Sequence, residues 1–223
     1  MKEHVVIWDG ITRPESVDSE YRKIREQLAD AAYARNWETV LHLLGENPTM
    51  VNATRLGGSS RYTPLHQAAY HGAPIDVVEN LLNLGAWRTL RNKDGQRPVD
   101  LARVKNHAHL YRILEPVYHW EISSQKLQGL QRNFHEVIRG RAEKQIESHQ
   151  LRLPELEPML ESGPSCKFWF AVPGMYGGFN YWLEKRWDRV LLISESWCRV
   201  VGGSGERHVV TPFGNVLVDE GFV

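Results

Sequence analysis

The chain has 223 residues, and its 27 Lys and Arg balance its 27 Asp and Glu. That balance removes the electrostatic case for non-specific nucleic-acid binding or adhesion to an anionic membrane, so the expected partner is a protein, with no nucleic acid and no membrane. The N-terminus has no apolar run long enough for a signal peptide, no stretch approaches the roughly 18 apolar residues of a membrane span, and the only cysteines are Cys166 and Cys198. These features point to a reduced, cytoplasmic chain.

Residues 1–21 form an N-terminal segment in which Val5-Val6-Ile7-Trp8 reads as a strand added to a later sheet. Next comes a repeated pattern. Tyr62-Thr63-Pro64-Leu65-His66-Gln67-Ala68-Ala69-Tyr70-His71-Gly72 returns in eroded form as Arg97-Pro98-Val99-Asp100-Leu101-Ala102, one period of 34 later. An earlier copy appears when Ala31-Ala32-Tyr33 is laid over Ala68-Ala69-Tyr70, at an offset of 37. The extra residues fall in the Gly/Ser loop Arg55-Leu56-Gly57-Gly58-Ser59-Ser60. Thr63 suits an N-cap and Pro64 the first helical position, where its fixed φ is already helical. Gly72 and Gly85 fall where a helix stops with positive φ.

The TPLHxAA start and its period resemble the ankyrin repeat, a turn, two antiparallel helices and a projecting finger loop. The resemblance covers about residues 22–118 as three repeats. It implies that His66 ties the turn together by hydrogen bonds and that a partner protein binds the concave surface of fingers and first helices. Positions after the paired alanines point there: Tyr33 in the first copy, Tyr70 and His71 in the second, Lys105 in the third. The fingers add Tyr62, Trp87 and Arg88. Tyr, Trp and Arg are the residue types most enriched in binding hot spots.

In residues 119–162 the spacing of Leu127, Leu130, Phe134, Val137, Ile138, Ala142 and Ile146 predicts one amphipathic helix over 125–150. A solenoid needs its last repeat capped, and this helix is assigned that role. Its basic residues Lys126, Arg132, Arg139, Arg141 and Lys144, with Arg152 beyond it, alternate with Glu136, Glu143 and Glu147 and read as a solvated face.

Composition shifts near Gly163: the last 61 residues hold 11 of the 22 aromatics and 9 of the 18 glycines. Aromatic and β-branched runs predict strands over 167–172, 179–184, 189–200, 207–211 and 215–219, with connections short enough for antiparallel hairpins. Residues 163–223 are thus expected to form a small meander or partly closed barrel, and the whole chain to be α+β: a short ankyrin α-solenoid, a capping helix and an antiparallel β domain.

Chemical motifs are sparse. Gly202-Gly203-Ser204-Gly205-Glu206 lacks the lysine of a phosphate loop and reads as a hairpin turn. Cys198, His208 and Asp219 or Glu220 are the one combination resembling an activated nucleophile, but without family spacing. Cys166, Cys198 and His208 lack the local chelating pair of a zinc site. His107 and His109, two apart, diverge if helical. No catalytic residue, cofactor or metal is therefore assigned. The expected function is non-enzymatic protein binding, as a specific inhibitor or adaptor. The alternative is an enzyme or small-ligand receptor using Tyr176, Trp197, Arg199, Ser204, Glu206 and His208 of the β domain.

Overall fold

In the computed structural model of the chain, residues 4–199 and 203–221 are described. Contacts divide the chain into residues 12–117 and a second unit made of residues 1–11 with 118–223. The N-terminal strand segment therefore goes with the sheet, and residues 119–162 are part of the sheet unit rather than a separate link.

The unit 12–117 is built from helices α1 (Ser19–Tyr33), α2 (Trp37–Glu46), α3 (Pro64–His71), α4 (Ile75–Asn83), α5 (Pro98–Val104) and α6 (Tyr111–Leu114). Side chains cap the starts of α1, α2 and α3. The Asp18 carboxylate accepts from the N–H groups of Glu20 and Tyr21 at 3.0 and 2.8 Å. Thr63 Oγ1 accepts from His66 N–H, and His66 Nδ1 accepts in return from Thr63 N–H, both at 3.3 Å. The far ring nitrogen of His66 lies 3.3 Å from the Gln96 carbonyl. A neutral imidazole carrying its proton on Nε2 satisfies all of these bonds, so the fully buried His66 joins its own helix start to the next finger. In α5 the Asp100 carboxylate takes over the returning half, accepting from Arg97 N–H at 2.9 Å.

The three helices α1, α3 and α5 end alike. Each passes through a left-handed residue, Arg35 at φ 63°, Gly72 at φ 65° and Asn106 at φ 59°. The next amide then bonds back to the first of the small residues of its helix, Asn36 to Ala31, Ala73 to Ala68 and His107 to Ala102, all at 2.9 Å. This is the Schellman ending, which satisfies carbonyls that a helix would otherwise leave bare. Gly72 needs to be glycine twice over, because a Cβ there would also meet the His107 ring at 2.6 Å.

His107 and His109 lie in the turn that follows Asn106, outside the helix in which they would diverge, and their rings come together. Their ring centroids are 6.1 Å apart. Each donates through Nε2 to a carbonyl at the end of α3, His107 to Tyr70 and His109 to Ala73, at 3.1 Å. They are clasps on the preceding helix. The fingers are joined in the same way. Asn52 Nδ2 donates to Gly85 O and its Oδ1 accepts from Trp87 N–H, both at 2.9 Å. Below these polar links lies an apolar core that includes Leu28, Val40, Leu44, Leu65, Val78 and Leu114, with Ala32, Ala68, Ala69 and Ala102 at the closest helix approaches.

The second unit contains α7 (Ser124–His149), α8 (Glu157–Leu160) and strands β1 (His4–Ile7), β2 (Cys166–Val172), β3 (Gly177–Arg186), β4 (Arg189–Cys198), β5 (Ser204–Thr211) and β6 (Gly214–Glu220). The strands form one sheet in sequence order, β1 to β6. β2 through β6 are antiparallel neighbours, and β1 lies parallel to β2, as its long connection permits. The described strands make an open meander with β1 and β6 at its edges. Of the predicted strand over 189–200 and the Gly202 turn, Val200 and Gly202 lie outside the described residues.

Alternation sets the two faces of this sheet. Phe168 and Phe170 of β2, Phe179 and Tyr181 of β3, Leu192 of β4 and Val210 of β5 are fully buried. Helix α7 covers this face, with the Phe134 ring 4.8 Å from that of Tyr181. The apolar stripe assigned above to a repeat cap is thus buried against the sheet, since a helix with one stripe has one core to face. Gly129 lets α7 approach the β5–β6 turn: a Cβ there would lie 2.5 Å from Pro212 O. Asn133 Nδ2 donates to Thr211 O at 2.8 Å beside it. The helix is not uniform, because Ala142 has φ −143° and breaks its regularity two residues after Gly140. The opposite face carries Trp169 and Trp197, with ring centroids 5.5 Å apart, and Trp182 beneath the Lys167 ammonium at 4.7 Å.

Candidate protein-binding face

The paired small residues of α1 and α3 are buried, which brings the first helices of adjacent pairs together and lines up the side chains that follow them. Tyr33, at the end of α1, meets His71 of α3 edge-on, with ring centroids 6.4 Å apart. His71 packs edge-on against Tyr70 at 5.1 Å, and Tyr70 against Tyr62 at 5.9 Å. The Lys105 ammonium sits 4.3 Å from the centroid of the Tyr70 ring. Tyr62 closes the row by stacking on His66 at 5.7 Å. Residues from three helices and one finger therefore form a single strip of aromatic surface with a cation on it. Tyr33 is 69 % exposed, and Tyr62, Tyr70 and His71 are half-buried.

The strip has distinct electrical ends. Burial holds the His71 imidazole below its ordinary pKa, and the positive charges of Arg35, His107 and Lys105 push it the same way. His71 Nε2 is shielded from solvent and has no hydrogen-bond partner among the described residues. At the other end burial raises the Tyr62 phenol, opposed by a hydrogen bond with Asn92, with the Asp94 carboxylate nearby.

Two of the residues expected on this surface do not join the strip. Trp87 is only 6 % exposed, so its indole is not offered to a partner, and its backbone N–H is engaged by Asn52. A finger tryptophan reads as a binding anchor in sequence, yet so large an apolar ring gains about 3 kcal/mol or more by being buried. Arg88 is likewise engaged, its Nε donating to Ile113 O at 2.8 Å. Arg35 was missing from the expected set, although the offset of 37 that aligns Tyr33 with Tyr70 also places it over Gly72.

The residues of the alternative site are scattered over the sheet unit. Tyr176 lies in the β2–β3 turn and is 77 % exposed, and Arg199 lies beyond the end of β4. Cys198 pairs with Ser204, whereas His208 pairs with Ser194. Four residues of strand, roughly 13 Å, thus separate the thiol from the imidazole, and no nucleophile pair forms. Burial raises the Cys166 thiol pKa, opposed by a hydrogen bond with Ser162, and so disfavours its thiolate.

What does assemble is a polar contact beneath α7. Arg141 donates to Glu206 at 2.7 Å, to the Ser204 carbonyl at 3.0 Å and to Ser196 Oγ at 3.2 Å. With its side chain 15 % exposed, Arg141 is not part of a solvated face. Arg152, paired with Glu155, is also largely buried. Among the described residues no group of three or more His, Cys, Asp or Glu converges as metal ligands would.

The ankyrin-repeat family profile matches residues 60–93, the span of α3, α4 and their fingers. Residues 60–93 are an ankyrin repeat. A stretch of 93 residues, 41 % of this chain, is 39 % identical to oxysterol-binding protein-related protein 1 of Mus musculus. The Rattus norvegicus protein of the same name matches to the same extent. The aligned stretch is 9 % of the length of each of these relatives. Ankyrin repeats suggest protein–protein interaction, and the strip lies on and around the matched repeat.

Proposed function

We propose that this chain is a protein-binding module whose ankyrin repeat, flanked by two diverged copies, recognises a partner protein through the strip Tyr33–His71–Tyr70–Tyr62 with Lys105. The observation that carries this reading is continuity. Side chains from α1, α3, α5 and a finger touch one another in a row at the surface, although the helix cores below them are already filled. The identical endings of α1, α3 and α5 support reading the flanking helix pairs as repeats. Tyrosine favours such a surface because it combines a large, stiff contact area with a polar tip. The absence of a Cys198–His208 pair weighs against the enzymatic alternative in the sheet unit.

The test is affinity capture from lysate with the intact protein beside a Tyr33→Ala, Tyr70→Ala double variant of matched thermal stability. Loss of a partner in the variant is expected. Retention of every partner would move the binding site elsewhere.

A further inference from the structure

Arg35 occupies a position at which its backbone is unfavourable. Its φ of 63° is the left-handed conformation that Gly72 adopts at the corresponding point of the next helix at φ 65°. Glycine takes this conformation freely, and asparagine, as at 106, tolerates it, whereas a long side chain pays in steric strain. Arg35 is exposed, its backbone N–H bonds to Ala32 O, and its guanidinium makes no ion pair or hydrogen bond among the described residues. Its charge nevertheless acts on His71. Lys105 also acts on His71; it is exposed, with its ammonium over Tyr70 and without a carboxylate partner among the described residues. The His71 ring on which both charges act has a shielded Nε2 with no hydrogen-bond partner among the described residues. Strained backbone retained at a surface, beside cations that no carboxylate neutralises among the described residues, points to a place where function outweighs local stability.

We propose that the Arg35–His71–Lys105 end of the strip binds a carboxylate of the partner, so that the partner segment is acidic and carries an aspartate or glutamate next to an apolar side chain. This rests on the protein-binding reading above and names the chemistry of the partner. The carboxylate accepts charge-assisted hydrogen bonds from the Arg35 guanidinium and the Lys105 ammonium. The neighbouring apolar group lies on Tyr33 and Tyr70, against the edge of the His71 ring. The opposite end, beside Asp94, repels an acidic residue, which fixes the direction of the bound segment.

The experiment is selection of a phage-displayed random dodecapeptide library on the full chain, followed by affinity measurements with the selected synthetic peptides. Enriched peptides are expected to share an Asp or Glu beside an aromatic or aliphatic residue. Their affinity should fall about tenfold or more in Arg35→Glu and in Lys105→Glu, the scale of losing a hydrogen bond to a charged group. Arg35→Gly is the discriminating variant. It should raise the Tm by about 4 °C through relief of strain and still weaken the same peptides about tenfold. Neutral or basic peptides whose binding is lost in Tyr33→Ala, Tyr70→Ala would overturn the carboxylate assignment alone. Peptides indifferent to that double variant would overturn the protein-binding reading with it. An Arg35→Gly protein that binds acidic peptides undiminished, or a library that yields no binder, also overturns the inference.

Discussion

Arg141 of α7 holds Glu206 of β5 at 2.7 Å, across 65 positions of chain, and the pair lies on the covered face of the sheet. The same guanidinium reaches Ser196 and Ser204, so one side chain joins the helix to two strands. Arg141→Met should destabilise the sheet unit by about 3 kcal/mol, because Glu206 would be left largely desolvated with the His208 imidazole, 3.8 Å away, in place of a guanidinium. Arg141→Met with Glu206→Gln should recover part of that loss. Urea denaturation followed by tryptophan fluorescence, to which Trp169, Trp182 and Trp197 of the sheet contribute, measures both. A cost under about 0.5 kcal/mol for Arg141→Met would place the pair among weak surface contacts.

Two glycines of α7 should respond in opposite directions to alanine. At Gly129 the added Cβ would lie 2.5 Å from the Pro212 backbone, so Gly129→Ala should cost about 1–3 kcal/mol by forcing the helix away from the β5–β6 turn. At Gly140 nothing lies within 4 Å of where a Cβ would stand. Gly140→Ala should therefore stabilise by up to about 1 kcal/mol by restricting the unfolded chain. Matched urea midpoints for the two variants would contradict the packing described for α7.

The helix start at Thr63 makes a separate claim on the repeat. Thr63→Ala removes Oγ1 from the buried pair with His66 and should cost about 1–2 kcal/mol, while Thr63→Ser should cost far less. His66→Ala should exceed both, because it also frees the Gln96 carbonyl held 3.3 Å away and leaves a buried cavity. Far-ultraviolet circular dichroism during thermal unfolding reads the loss, since the regular structure of the affected unit is helix. Equal melting of Thr63→Ala and Thr63→Ser would remove the hydroxyl from the account.

Acid should weaken the sheet unit through histidine. Burial is the main reason that His135 and His208 titrate below the ordinary imidazole value. For His135, Arg139 adds to the depression, and the bond to Pro154 O with the charge of Glu155 opposes it. For His208, Glu206 opposes the shift and Arg141 adds to it. The unfolded chain therefore takes up these protons at a higher pH than the native one. The stability involved is fully present above about pH 6.5 and is lost as pH falls from there through the depressed native values. His135→Gln keeps an N–H for Pro154 O and removes the titration, so its urea midpoint should fall less between pH 7 and pH 5. An unchanged slope would assign the acid sensitivity to other groups.

Much of the helical unit was legible because its signals are local. Thr63, Pro64, the paired alanines and the aligned positions of Arg35, Gly72 and Asn106 describe how one helix begins, packs and ends within a few residues. The strands of the last third were legible for the same reason, since alternation such as Phe179, Tyr181 and Leu183 needs no knowledge of the partner strand. His107 and His109 fall in a turn, and that their rings meet could not be read from their spacing, because it follows from the left-handed backbone at Asn106. Arg141 was beyond reach: on a charged, amphipathic helix nothing nearby marks it, and Glu206 and Ser204 lie more than sixty residues on.

By itself the sequence determined the repeat, its register, the strands and the residue types available to a partner, because periodicity, capping and small-residue packing act over one or two turns of chain. Only the tertiary structure decided which of those residues share a surface. It withdrew Trp87 into the interior, turned α7 onto the sheet, and brought Tyr33, His71, Tyr70 and Lys105 together beside Arg35. Burial and charge pairing depend on which distant segments meet, and the order of residues along the chain does not record that.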